Sequence, residues 1–111
     1  MKVLGIDIGG ANIKAAFLKT QDATMQELRT SIEYFPIWKK GKKELPKVLE
    51  KLKRMLIDSA LDGVGVTMTA ELSDAYWTKK EGIDHVLDCV TEVFGVVPTF
   101  VLDVEANLLT V

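Results

Sequence analysis

Cysteine and histidine occur once each in this sequence, as Cys89 and His85, and proline only three times. A single cysteine excludes an internal disulfide and fits a reducing compartment. With no CxxC pair and no His/Cys cluster, a structural zinc site is not expected. Long apolar runs are missing too. No stretch approaches the ~20 residues that span a bilayer, and the N-terminus lacks the basic and apolar regions of a signal peptide. The expectation is a soluble cytoplasmic protein with no membrane partner. A strong charge of one sign is also absent, the net being −2, which argues against a general nucleic-acid binder. The charge is uneven: seven lysines and one arginine face only Glu44 and Glu50 between Lys39 and Arg54. That block reads as a solvated helix face and loop, with a local anion site as the alternative.

What is present is the composition of an ordinary globular domain, 48% hydrophobic and 27% charged over 111 residues, enough for one domain with a real core. Val3–Ile8 reads as a buried strand broken only by Gly5, and Gly9-Gly10-Ala11-Asn12 as a turn into the return strand Ile13–Lys19. Thr20–Thr24 is polar enough for a second turn. A third strand follows between Met25 and Trp38, with Pro36 making its end an edge or an exit. Lys39–Lys43 reads as a loop.

Leu45, Val48, Leu49, Leu52, Met55 and Leu56 then form one stripe of an amphipathic helix, with Pro46 suited to its first turn. Gly63–Met68 is a fourth strand, and "TAELSDAYW" a loop beyond its carboxyl end. Thr78 and Glu81 have capping-box spacing. Ile83, Val86, Leu87, Val90, Val93 and Phe94 repeat the helical stripe, which Gly95 closes. Pro98 introduces a fifth strand, Thr99–Val104, and "EANLLTV" reads as the start of a further helix. The order β-β-β-α-β-α-β predicts an α/β fold, a mixed sheet flanked by helices.

Three clusters carry possible chemistry. In the opening turn, glycines leave room for phosphate oxygens to approach backbone amides. Asp7, ending a strand, is placed to hold Mg²⁺ through water; Lys14 supplies a point charge and Asn12 an amide donor. A plain two-residue type I′ or II′ hairpin would explain the glycines but not the acid and the amine on either side. The second cluster, "TMTAELSDAYW", crowds Thr67, Thr69, Glu71, Ser73 and Asp74 after a buried strand, where ligands of open α/β sheets sit; a helix N-cap loop is the plain alternative. The third is Asp103 and Glu105 in "VLDVEANLL", either a base and magnesium organiser or a strand-ending charge. His85 reads as a surface residue, Cys89 as a small core residue, and Trp38, Tyr76 and Trp77 as packing.

"GIDIGGANIKAA" resembles the phosphate-binding hairpin of the actin/heat-shock-chaperone/sugar-kinase superfamily, nearest in wording to the "DIGGTNIK" form of the ROK sugar kinases. The element order is similar to that superfamily's ribonuclease H-like first domain, so the resemblance covers residues 1–111. It implies that Asp7 organises Mg²⁺ and that Gly9, Gly10, Ala11, Asn12 and Lys14 face a polyphosphate. Relatives carry threonine where this chain has Ala11, and lose about 0.5–1.5 kcal/mol of phosphate hydrogen bonding if it goes. Glu105 falls where the ROK pattern "ENDAN" has its catalytic aspartate, counted from the asparagine. In the superfamily the ligand lies between two domains. A second domain is therefore expected as the partner of this one, and residues 1–111 alone are expected to be inactive.

"VTMTAELSDAY" together with that hairpin resembles a group of archaeal and methylotroph proteins related to the hydantoinase/oxoprolinase branch. That group is linked to tetrahydromethanopterin and methanofuran metabolism. The resemblance implies a transferase that condenses a furan-methyl diphosphate with γ-glutamyltyramine and releases pyrophosphate. A diphosphate leaving group needs backbone amides, Lys14 and Mg²⁺ but no γ-phosphoryl transfer, which suits Ala11. The alternatives are an ATP-dependent sugar-type kinase and an actin-like ATPase with a conformational output. ATP is thus the alternative ligand to a substrate diphosphate, and oligomeric assembly is left open.

Overall fold

The first three strands form an antiparallel meander that occupies half of one sheet. β1 (Lys2–Ile8) pairs with β2 (Asn12–Gln21), and β2 with β3 (Thr24–Tyr34). The computed structural model describes residues 1–68, 78–102 and 108–110. After β3 come a short helix α1 (Ile37–Lys40), a 3₁₀ turn at Lys42–Glu44, helix α2 (Leu45–Leu56) and strand β4 (Gly63–Met68). Helix α3 (Lys79–Phe94), β5 (Thr99–Leu102) and β6 (Leu108–Thr110) complete the described elements. The sheet order is β3-β2-β1-β4-β5-β6. β4 is parallel to β1 and to β5, and the remaining pairs are antiparallel. The predicted mixed sheet is what forms.

Alternation decides the faces. Leu4, Ile6 and Ile8 of β1, Ile13, Ala15 and Phe17 of β2, and Val64 and Val66 of β4 are buried in one cluster. That cluster also holds Leu45, Leu49, Leu52 and Leu56 of α2 and Val86, Cys89, Val90, Val93 and Phe94 of α3. Both long helices therefore cover the same face. β1 is half-buried, contrary to its apolar run: Gly5, between two core residues, is exposed. Lys53 of α2 donates to the Val93 carbonyl at 3.0 Å, joining the helices where α3 leaves carbonyls unpaired.

Local signals mark most ends. The Glu81 amide donates to the Thr78 hydroxyl at 3.0 Å, capping α3, and Gly95 (φ 69°) ends it with its amide on Thr91. Four expectations are corrected. The third strand stops at Tyr34, because Pro36 turns the chain and its carbonyl accepts from Lys39 and Lys40 to wind α1. Part of the expected loop 39–43 is consequently helical, with Gly41 (φ 93°) as the hinge between α1 and the 3₁₀ turn. Met55 leaves the α2 stripe and is 52% exposed. The expected terminal helix is instead strand at Leu108–Thr110, because β5 offers an open antiparallel edge there. β5 itself is described to Leu102, so Val104 of the expected strand lies outside the described residues.

The β2–β3 hairpin closes on two residues, Asp22 (φ 51°) and Ala23 (φ 62°), with Gln21 opposite Thr24. Left-handed backbone at both positions matches the twist of the flanking strands. Aspartate tolerates it, but alanine holds it at about 1–2 kcal/mol. Glycine's extra unfolded-state entropy would offset only about 0.4–1 kcal/mol of that. Ala23→Gly is therefore expected to stabilise the protein by roughly 0.5–1 kcal/mol, read from denaturant midpoints at unchanged slope.

On α3 the Cys89 thiol lies 3.6 Å from His85 Nε2. Cys89 is core, as expected, while His85 is half-buried instead of a freely exposed surface residue. Burial pushes the Cys89 thiol up to about 11, helped by Glu92 and Asp88. Burial lowers His85 below its ordinary value, helped by the Lys42 ammonium and opposed by Asp88 and Glu81. The unfolded chain then binds the imidazole proton more readily than the folded one. Stability is expected to fall as pH drops below about 6.5, and His85→Gln should flatten that limb in pH-dependent thermal melts. An unchanged limb would remove His85 as its source.

Candidate functional site

The opening turn, residues 9–12, is held from outside, and its tip at Gly10 and Ala11 lacks the left-handed backbone that a type I′ or II′ hairpin needs. Ile8 pairs with Ile13, and the Gly9 amide donates to the Asn12 carbonyl at 3.0 Å. The next two carbonyls are taken by the chain leaving β3. Phe35 donates to Ala11 O at 2.8 Å and Ile37 to Gly10 O at 3.2 Å. Phe35 and Ile37 are both buried, so the core anchors the segment that braces the turn. With those carbonyls engaged, the amides of Gly10 and Ala11 have no partner among the described residues. This is the polarity an anion needs: carbonyls tied back and amides left to donate.

Beside the turn, one row of side chains crosses the uncovered face of the sheet. Asp7 is opposite Lys14 on β2 and opposite Thr67 on β4; Ile32 of β3 follows Lys14. Register partners project to the same face with Cβ atoms about 4.5–5.5 Å apart. Asp7 is half-buried and Lys14 exposed. Neither engages an ion pair or a side-chain hydrogen bond among the described residues. An acid and an amine held side by side without a mutual bridge are both available to a ligand. They border a concavity of about 510 Å³ whose lining also includes Gly5, Ala16, Gly65 and Leu102.

The expected site residues thus fall into two groups. Asp7, Gly9, Gly10, Ala11, Asn12, Lys14 and Thr67 come together at one end of β1, β2 and β4. Thr69, Glu71, Ser73, Asp74, Asp103 and Glu105 lie outside the described residues, as do Tyr76, Trp77 and the side chain of Trp38. Sequence reasoning missed the brace through Phe35 and Ile37, which no local pattern announces. It also missed the glycine floor, although Gly5 as a break in an apolar strand was its visible trace.

Among the described residues no group of three or more His, Cys, Asp or Glu stands together as a metal cage. Magnesium does not require one. It keeps several waters and is bound through one or two carboxylates plus substrate phosphates. Asp7, half-buried and unbridged beside the turn amides, fits that role. No helix of the described residues is long and apolar enough to cross a membrane.

No family model matches this chain. A curated relative from Methanocaldococcus jannaschii, (4-{4-[2-(gamma-L-glutamylamino)ethyl]phenoxymethyl}furan-2-yl)methanamine synthase, is 41% identical over 108 residues. The match takes in 97% of this chain and 29% of that relative's length. Among solved structures, a Ppx/GppA family member from Aquifex aeolicus superposes with a TM-score of 0.59 at 19% identity. It covers 91% of this chain and 35% of its own. RuvC from Thermus thermophilus superposes at 0.57 and 15% identity, over 91% of this chain and 65% of its own. At such identities the likeness is one of fold. Together with the β3-β2-β1-β4-β5-β6 sheet and its helices, it makes the fold of this chain ribonuclease H-like.

Proposed function

We propose that this chain forms the diphosphate-holding part of a transferase that joins a furan-methyl diphosphate to γ-glutamyltyramine and releases pyrophosphate, a step of methanofuran biosynthesis. The observation that carries the reading is the 41% identity over 97% of the chain to a synthase whose product name contains a phenoxymethyl-furan unit. The site geometry supports it. Turn amides without a partner among the described residues and an Asp7–Lys14 pair with no mutual bridge suit a ligand of high negative charge.

In this reading the bond between the furan methylene and the diphosphate oxygen breaks, and the pyrophosphate keeps the electron pair. The phenol oxygen of the tyramine unit forms the new bond to the methylene and loses its proton. Asp103 or Glu105 is the candidate acceptor of that proton. The Gly10 and Ala11 amides and the Lys14 ammonium take up charge developing on the leaving group. Asp7 would hold magnesium, which would supply further charge neutralisation to the leaving diphosphate. Thr67, beside Asp7, and the segment carrying Thr69, Glu71, Ser73 and Asp74 are the proposed substrate contacts. Ala11 carries no hydroxyl for a nucleotide phosphate, which favours a substrate diphosphate over ATP.

The test is to incubate the full-length polypeptide with Mg²⁺ and either the furan diphosphate plus γ-glutamyltyramine, or ATP plus sugars. Pyrophosphate release with the first pair alone supports the reading. ADP formation that tracks a sugar overturns it in favour of a kinase, and ATP turnover without an acceptor favours an actin-like ATPase. Asp7→Asn is expected to lower turnover by roughly 10²–10³-fold, the size of one lost charge-stabilising contact. Wild-type turnover in that variant would remove Asp7 from the site. Ala11→Thr adds a hydroxyl donor worth about 0.5–1.5 kcal/mol, so ATP is expected to bind up to about tenfold more tightly, as read by calorimetry.

A further inference from the structure

β3 stands at one end of the sheet order, so one of its sides faces no strand. Which backbone groups line that open edge follows from the ladder with β2. Phe35 donates to the Ala11 carbonyl, and the pairs of Glu33 with Ile13 and Ser31 with Ala15 continue the same register. Bonding alternates along an antiparallel pair, so Arg29, Ser31 and Glu33 bond inward to β2. Leu28, Thr30, Ile32 and Tyr34 turn their N–H and C=O groups outward, and these groups have no partner among the described residues.

An open edge ordinarily carries a device against pairing: a lysine, a proline, a bulge or a covering element. Thr24–Tyr34 has no lysine and no proline. Its one bulge, opposite Lys19 and Thr20, disturbs the end at residues 25–27. Over residues 28–34 the register is regular, and Leu28, Ile32 and Tyr34 are 53%, 66% and 66% exposed.

The order of residues in that stretch argues for one occupant, a second copy of itself. About a twofold axis at Ser31, antiparallel pairing sets Arg29 opposite Glu33, Thr30 opposite Ile32 and Leu28 opposite Tyr34, each twice. Thr30 with Ile32 and Leu28 with Tyr34 are then the hydrogen-bonded pairs, which use the outward groups and no others. Arg29 with Glu33 and Ser31 with its copy are the closer, non-bonded pairs, and the small serine falls at the axis. The charges stand ready on the helix side. Arg29 lies over the Phe17 ring at 4.7 Å and bridges Glu27 and Asp58, while Glu33 bridges Lys51. Neighbouring registers that keep the same bonding fare worse. An axis at Thr30 opposes Glu27 to Glu33, an axis at Arg29 sets that cation against its copy, and like charges directly opposite repel. An axis at Leu28 runs the ladder into the bulge.

We propose that two copies of this protein pair through β3, antiparallel about Ser31, so that their sheets become one. This does not rest on the proposed function. The contact at residues 28–34 is shorter than the about 20–30 residues a side of a standard interface, so the dimer exchanges at micromolar concentration. Sedimentation of the full-length polypeptide over the micromolar range is expected to show a reversible dimer. Arg29→Glu and Glu33→Arg each dissociate it, because each opposes like charges across the axis. Mixing the two variants restores a one-to-one dimer, since every facing pair is again opposite in sign. Ser31→Cys joins two copies by a disulfide under mild oxidation, because non-bonded pairs hold Cα atoms about 4.5 Å apart, within disulfide reach. Gln26→Cys, at the bulged end, does not, and Cys89 is buried out of reach.

A monomer throughout that range overturns the proposal. So does a dimer that both charge variants leave intact, that their mixture fails to restore, or that Ser31→Cys does not cross-link. If neither charge variant folds, the Ser31→Cys cross-link decides alone. A monomer whose outward β3 amides resist hydrogen exchange overturns it in favour of a strand from the same polypeptide.

Discussion

β1 is hydrogen-bonded on both sides, antiparallel to β2 and parallel to β4, and the remaining placements depend on that double pairing. The antiparallel side requires a tight reversal, which fixes the turn at residues 9–12. The parallel side requires a crossover, which α2 supplies. Because both ladders use the same β1 residues, Asp7 is aligned at once with Lys14 and Thr67. A one-residue slip in either ladder would send Leu4, Ile6 and Ile8 to solvent. Burial of those three therefore fixes the register of the polar row at their end.

The brace from Phe35 and Ile37 gives the turn its chemical polarity. Two amides of a buried segment hold the carbonyls of Gly10 and Ala11, so the loop's dipoles are oriented before any ligand arrives. Preorganised dipoles cost no rearrangement at the moment charge develops. The acid and the amine beside the turn are set by strand pairing instead of by mutual attraction, and neither is bridged among the described residues. The same side of the sheet carries the glycine floor. The charged end and the apolar middle thus lie on one surface.

Much of the fold was legible because its signals are local. Thr78, Glu81 and Gly95 bound α3 through caps that act within one turn, and the leucine stripe from Leu45 to Leu56 names the buried side of α2. Errors arose where the deciding partner was distant. Leu108–Thr110 is strand because β5 lies beside it, and residues after Tyr34 coil because Pro36 redirects them toward the turn. The apolar run of β1 reads as doubly buried, yet one face of Gly5 is open. Run composition records hydrophobicity but not which neighbour supplies the cover.

The sequence by itself determined the residues of the turn, the acid and amine on either side of it, the order of elements and the stripes that face the core. These follow from spacing and backbone preference within a few residues. Tertiary structure alone decided that the turn carbonyls are tied back by Phe35 and Ile37, that Asp7 shares a row with Lys14 and Thr67, and that Gly5 meets Gly65. Each of those depends on inter-strand register, which is set by burying side chains far apart in the chain and leaves no mark in any short stretch of it.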